Sequence, residues 1–267
     1  MKKNVSIIMS CILLLSTLLL AGCGSKQNSD KDQLARIQEK GELVIAMEGN
    51  WAPWTYHGDD GELTGYDTEV GKLIAQKLGV KATFVEGEWD GLLAGMDSGR
   101  YDIVINGVDV TPEREESYDF TDAYGYTRTA LVVASDNDTI HSFEDLNGKT
   151  TANSIGSTYM ELAETYGATV SGVDTLDETI QMVLQHRVDV TLNADLSFYD
   201  YLGQHPDAAI KIVAQTEEAN SIAIPCKKGD DSATLREAIN KALEELRADG
   251  SLSELSNRFF GANISQK

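Results

Sequence analysis

The sequence predicts an α/β protein of two lobes, each built on a doubly wound, mainly parallel sheet. Two observations carry that reading. Short apolar or β-branched runs such as LVIAM, DIVI and VDVTL alternate with longer stretches whose apolar residues recur every three or four positions. The alternation comes as two series of unequal length with helices left over at the C-terminus, so the chain crosses to a second lobe and returns. No repeat of roughly 20 to 50 residues relates the two series, which makes the lobes alike in architecture only.

The elements follow in order. Residues 33–41, QLARIQEKG, form a short helix with apolar residues three apart and Gly41 as its stop. Residues 43–47 are the first strand. In the following EGNWAPWTY, Gly49 and Pro53 exclude a helix and leave Glu48, Trp51 and Trp54 on a loop. That loop lies at the C-terminal end of a strand, the edge of open α/β sheets where ligands bind. A turn at Gly58-Asp59-Asp60-Gly61 leads to a helix with Val70, Leu73, Ile74 and Leu78 as its apolar stripe. A strand at 81–86, a loop and helix from Trp89 through Leu92, Leu93 and Met96, and a strand at 102–105 complete the first series. The second has strands at 130–134, 149–153, 169–173, 188–192 and 210–213, with helices at 159–166, 176–186 and 196–202. A return strand at 221–224 precedes an amphipathic helix at 232–247, with Leu235, Ile239, Leu243 and Leu246 inward, and a last helix at 252–260.

The 267 residues carry 22 basic and 43 acidic side chains. That balance argues against nucleic acid or an anionic membrane surface as partner, since either demands a basic patch. Lys2 and Lys3 precede an apolar run at 5–20 that is too short and too broken by Ser and Thr to span a bilayer, so residues 1–22 read as a signal peptide. Leu20-Ala21-Gly22-Cys23 resembles the lipobox of bacterial lipoproteins, in which Cys23 becomes the lipidated first residue. At about 0.8 kcal/mol per buried CH₂, two or three acyl chains such as palmitate anchor a protein stably. Residues 24–31, GSKQNSDK, read as a flexible tether. With Cys11 in the signal and Cys23 lipidated, Cys226 stands alone without a disulfide partner, a tolerated residue at a strand end.

The stretch YDIVINGVDVTPER, residues 101–114, concentrates the chemistry. A strand ends at Asn106 and Gly107; Asp109, the helix start Thr111-Pro112-Glu113 and Arg114 follow. Backbone N–H groups, a carboxylate and a guanidinium brought to one place suit a small zwitterion. The planar fork of Arg114 matches an α-carboxylate; the alternative for an Arg just inside a helix is a surface ion pair with Glu113 or Glu115. No nucleophile–base pair, metal-ligand spacing or cofactor loop is visible, and His57, His141, His186 and His205 are scattered.

From Gly65 onward, GYDTEVGKLIAQKL is similar to the signature of the bacterial family 3 solute-binding proteins, the amino-acid receptors of ABC importers. The resemblance runs from Gly41 to Gly261 through WAPW, WDGLLAGMDSGRYDIV, TPER with YDFTDAY, IGSTY, VDVTLNAD, AIPCKKGD and GSLSELSNRFFG. It implies a periplasmic-binding-protein-like fold after the lipidated Cys23, tether and short helix of residues 23–40. Lobe 1 is then 41–124 plus 222–263, lobe 2 is 129–216, and the hinges are 124–128 and 217–221. It assigns the ligand carboxylate to Arg114 with the backbone N–H of Asp109 and Thr158, and the ammonium to Asp195 with the carbonyl of Gly107. Trp51 and Trp89 sandwich the ligand. On residue chemistry alone, Asp195 would cap the helix that follows it, and the two Trp would be core.

Asp109 departs from the family's usual Ser or Thr; a carboxylate there strengthens the ammonium contact or favours a ligand with extra positive charge. Glu48 matches a position that is acidic in receptors for basic amino acids, its alternative being a solvated loop carboxylate. WAPWTY, EWDGLLAGMDSGRYDIVIN and TPERE most resemble the cystine-type branch, with Asn106 and Ser154 as polar side-chain contacts. The expectation is a monomeric, lipid-anchored receptor facing outward from the cell membrane, delivering cystine to a permease and ATPase on other polypeptides. A receptor for a basic amino acid is the alternative, and a dehydratase-like enzyme using Glu48 or Asp109 as general acid is the alternative of another class.

Overall fold

The computed structural model describes residues 31–267. The signal peptide, Cys23 and the tether up to residue 30 lie outside the described residues. The first helix, α1 (Gln33–Lys40), is capped at both ends by sequence-local means. The Asp32 side chain accepts from Ala35 N at 2.8 Å, and Gly41 closes the helix with φ 73°.

The first sheet is three parallel strands in the order β5–β1–β6: β1 (Glu42–Met47) between β5 (Lys81–Glu86) and β6 (Ile103–Val104). The register pairs Glu42 with Lys81 and Ile45 with Ile103. Crossover helices α2 (Tyr66–Leu78) and α3 (Trp89–Asp97) connect these strands as βαβ units require. The loop after β1 is more ordered than its Gly and Pro content suggests. It builds a small antiparallel sheet of β2 (Asn50–Trp51), β3 (Thr55–His57) and β4 (Leu63–Thr64).

After β6 the chain forms the short helix α4 (Pro112–Ser117), then β7 (Tyr118–Phe120), β8 (Gly125–Thr127) and β9 (Thr129–Ala134). The second sheet adds β10 (Thr150–Asn153), β11 (Thr169–Gly172), β12 (Val190–Ala194) and β13 (Ile210–Gln215), with helices α5 (Thr158–Thr165), α6 (Leu176–Leu184) and α7 (Asp195–Gln204). Its strand order is β11–β10–β12–β9–β13, and β9 runs antiparallel to both neighbours. The expected mainly parallel sheet therefore carries one reversed strand near its edge. Strand β9 enters straight from β8 with no crossover helix before it, so the direction of entry and not a βαβ unit sets its polarity.

The chain returns through β14 (Asn220–Ile222) and β15 (Pro225–Lys227), which pair antiparallel with β8 and β7. Two strand pairs thus accompany the passage between the sheets. The chain then closes with α8 (Asp230–Ala248) and α9 (Ser251–Phe260) against the first sheet's helices. Leu235, Ile239, Leu243 and Leu246 of α8 are buried as the helical period requires, each contributing about 2 kcal/mol by removal from water. One apolar cluster runs from Leu43, Ile45 and Met47 through Tyr124 to Leu131, Val133 and Leu192. Cys226 is a free, buried thiol within β15, and burial pushes its pKa up to about 12, so it is an inert packing residue. No helix among the described residues is long and apolar enough to cross a membrane.

Candidate functional site

A cavity opens where the loops after β1 and β6 meet those after β10 and β11 and the end of β12. Both sheets contribute their carboxyl ends, the edge where open α/β sheets place ligands.

Arg114 is set by its own helix start. The Thr111 side chain accepts from Arg114 N at 3.2 Å, and Pro112 occupies the first turn of α4. The guanidinium lies 5.2 Å from the centroid of the Trp89 ring. Its Nη1 donates to the Asp109 carbonyl at 3.1 Å and its Nη2 to the Gly156 carbonyl at 3.3 Å. Neither Glu113 nor Glu115 pairs with it; it takes part in no ion pair among the described residues. A guanidinium stacked and oriented by carbonyls, with donors left over in the cavity wall, is prepared for an anion.

Asp109 is almost fully buried beside it. Its Oδ2 accepts from the Thr158 hydroxyl across the cavity, while its Oδ1, also buried, has no partner. Burial raises the Asp109 pKa, opposed by the Thr158 hydrogen bond, the Arg114 charge and the nearby Asn220 amide, which is not within hydrogen-bond geometry of Oδ1. Ser157, Thr158 and Tyr159 bring the N-terminus of α5 to the wall, with the Ser157 hydroxyl accepting from Met160 N at 3.1 Å.

At the other end, Glu48 and Asn106 hold each other. Glu48 N donates to Asn106 Oδ1 at 2.8 Å and Asn106 Nδ2 donates to Glu48 Oε2 at 2.6 Å. Asn106 is thus committed chiefly to orienting Glu48. Burial lifts the Glu48 carboxyl to about 7; the Asn106 bond opposes the rise and the charges of Glu88 and Asp174 add to it. Trp51 stacks on Trp54 with ring centroids 5.4 Å apart and donates from Nε1 to Asn193 Oδ1 at 3.1 Å. Gly107 makes that packing possible: a Cβ there would stand 2.7 Å from the Trp51 ring, at a φ of 52°.

Glu48, Trp51, Trp89, Asn106, Gly107, Asp109, Arg114, Ser154 and Thr158 all line this one cavity. Asp195 does not. Its Oδ1 accepts from Thr127 Oγ1 at 2.7 Å, Leu196 N at 2.9 Å and Arg128 N at 3.3 Å, and its Oδ2 faces Gln215 Nε2 at 3.4 Å. On a continued strand Asp195 would share a face with Asn193. Helix α7 begins at Asp195, however, and the change of backbone turns its carboxylate away to β8, where it serves the helix start and the crossing strand. Asn193 stands in the wall instead, together with Asn50, Ser157, Tyr159, Asp174 and Leu176, none of which was picked from sequence. Asn193 carried a usable signal, a lone amide in an otherwise apolar strand end. Asp174, just before the Thr175 cap of α6, looks like an ordinary helix-start acid.

Apposed loops, a half-buried guanidinium beside a buried carboxylate, and two indoles define a receptor for a small polar solute. Residues 43–262 match the bacterial extracellular solute-binding proteins, family 3, and the chain belongs to that family. It is 40% identical over 267 residues to the L-cystine-binding protein TcyA of Bacillus subtilis (strain 168), covering 97% of this chain and 98% of that one. Identity to the L-cystine-binding protein TcyJ of Escherichia coli (strain K12) is 33% over 254 residues, 93% of each. Among solved structures, an ancestral arginine-binding protein bound to glutamine superposes with a TM-score of 0.78 at 35% identity, covering 83% of this chain and 98% of that chain. The L-cystine solute receptor of Neisseria gonorrhoeae, in its unliganded open conformation, gives 0.59 at 39% identity, covering 88% and 98%. Like these relatives, the chain is a binding protein and not an enzyme.

Proposed function

We propose that the chain is the substrate-binding protein of an ABC importer and captures a polar α-amino acid, L-cystine first, in this cavity. The observation that carries the reading is the pair Arg114 and Asp109: among the described residues, a guanidinium without an ion-pair partner beside a buried carboxylate with one oxygen unpartnered. An α-carboxylate on Arg114 and the N-terminus of α5, with an α-ammonium on Asp109 Oδ1, would satisfy both. Asp109 then takes the ammonium role expected of Asp195. Trp51 and Trp89 bound the ligand, and Glu48, oriented by Asn106, meets a second ammonium together with Ser154 and Asp174. The cystine-binding relatives support the choice of ligand.

Residues 41–124 plus 222–263 and residues 129–216 are read as lobes, with 124–128 and 217–221 as hinges beside the paired strands β8 and β14. The closer match to a glutamine-bound structure than to a more identical open one supports reading this arrangement as the closed form. Ligand contacts available only on closure then turn binding into a signal for the permease. Lipidation at Cys23 holds the receptor at the membrane beside its permease and ATPase. A basic amino acid is the second reading, favoured by the excess of carboxylates in the wall: Glu48, Asp109 and Asp174 against Arg114.

Calorimetric titration of the purified protein with L-cystine, L-arginine and L-glutamine tests the proposal. L-Cystine is expected to bind tightest, L-arginine tightest under the second reading. If no amino acid binds tighter than about millimolar, both readings fail. Mass spectrometry of the N-terminal peptide tests lipidation of Cys23.

A further inference from the structure

Asn193, near the end of β12, stands in the cavity wall, and its amide is held in one orientation by two neighbours. Its Oδ1 accepts from Trp51 Nε1 at 3.1 Å and from Ala194 N at 2.8 Å. An indole N–H and a peptide N–H can only donate, so the amide oxygen must face both and the amide nitrogen must point elsewhere. Nδ2 makes no hydrogen bond among the described residues and keeps its donors. The Trp51 indole is itself fixed. It stacks on Trp54, which is fully buried and donates from Nε1 to the buried Ser197 hydroxyl at 3.1 Å. Both indoles of the loop after β1 thus reach the end of β12 and the start of α7, and a flipped Asn193 amide would set its NH₂ against two N–H groups.

The lining holds one cation, Arg114, among the carboxylates Glu48, Asp109 and Asp174. An amino acid with a single head needs only that guanidinium for its carboxylate. A two-headed one such as L-cystine carries a second carboxylate, and burying it unpaired would be costly. Neutral donors must meet it. The Asn106 amide is taken by Glu48 and the Thr158 hydroxyl by Asp109, while Asn50 is exposed. We propose that Asn193 is a specificity-determining residue whose Nδ2 donates to the second carboxylate of a two-headed amino acid. The proposal rests on the reading of the cavity as an amino-acid site. The wall then reads the distal head in two parts, its ammonium through Glu48 and its carboxylate through Asn193. A ligand whose far end is only cationic, as in L-arginine, leaves the Asn193 donors unmet and sets its charge against them.

The test is calorimetric titration of two ligands into the full chain, with melting temperature read in parallel. One is L-cystine; the other is the mixed disulfide of L-cysteine with cysteamine, which keeps the distal ammonium and lacks the distal carboxylate. The parent is expected to bind L-cystine about tenfold tighter than the mixed disulfide. Asn193→Asp keeps an acceptor for Trp51 and Ala194 and puts a carboxylate oxygen where Nδ2 stood. It is expected to weaken L-cystine about a hundredfold and the mixed disulfide less than about fivefold, which reverses the preference. Asn193→Ala removes the donor and adds no charge, so it is expected to bring the two ligands within about threefold. It carries the comparison should Asn193→Asp fail to fold. A parent that binds both ligands alike or prefers the mixed disulfide, or variants that weaken both equally, overturns the proposal and leaves the amino-acid reading standing. A parent that binds no amino acid overturns that reading and this proposal with it.

Discussion

The Thr158 hydroxyl donates to Oδ2 of Asp109 across the cavity, joining the first residue of α5 to the loop after β6. This contact spans the two sheets and leaves Asp109 Oδ1 as the open acceptor. Replacing Thr158 by Val keeps the shape and removes the donor from a buried carboxylate. Amino-acid affinity should fall by about 1–3 kcal/mol, and Thr158→Ser should retain most of it. Calorimetry on the two variants separates the hydroxyl from the methyl.

Arg114→Ala should cost about 3–5 kcal/mol of ligand binding, since the ligand carboxylate would be left desolvated and unpaired. Arg114→Lys should recover only part, because an ammonium cannot both stack on Trp89 and present a fork. The ligand-free melting temperature should change little, as Arg114 is half-buried and makes no ion pair among the described residues. A large loss of stability in Arg114→Ala would assign the residue to the fold instead.

The Glu48 carboxyl is raised to about 7 by burial, above its ordinary value of 4.5. The folded chain therefore holds this proton more tightly than the unfolded one. Its contribution to stability is complete below the unfolded value and is lost as pH rises through about 7. Ligand-free stability should fall across that window, and Glu48→Gln should flatten part of the fall in urea titrations at several pH values. A second ammonium on the ligand favours the ionised form, so binding L-cystine near neutral pH should release protons. Calorimetry in buffers of different ionisation enthalpy reads that release, and Glu48→Gln should reduce it.

Asp195→Ala should injure the fold more than the site. The carboxylate serves the start of α7 and the Thr127 and Arg128 groups at β8. Its loss should lower stability by about 1–2 kcal/mol. A loss of affinity larger than the loss of stability would return Asp195 to the ligand. Thermal melts alongside titration decide between the two.

Arg114 was legible in the sequence because its placement is local: Thr111 and Pro112 start a helix three residues away, and that start aims the guanidinium. The same holds for α1, fixed by Asp32 and Gly41, and for the apolar stripe of α8. Asp195 misled because two local rules compete at the end of β12. Strand alternation sends its side chain to the cavity and the start of α7 turns it away, and the contact with Thr127, 68 positions distant, decides. Asp174 went unnoticed because nothing near it in sequence marks the cavity it faces, whereas the lone amide of Asn193 at the end of β12 was a signal that the sequence offered.

Capping residues, glycine stops and apolar periodicity, all interactions within a few positions, suffice to predict the main strands and helices of the two sheets and the cluster from Gly107 to Arg114, but not the short strands β2 to β4, β7 and β8. Tertiary structure decided the rest: the reversed direction of β9, the commitment of Asn106 to Glu48, the departure of Asp195 and the free oxygen of Asp109. Each depends on partners tens of residues apart, and hydrogen-bond partners at that separation are set by how the two sheets meet.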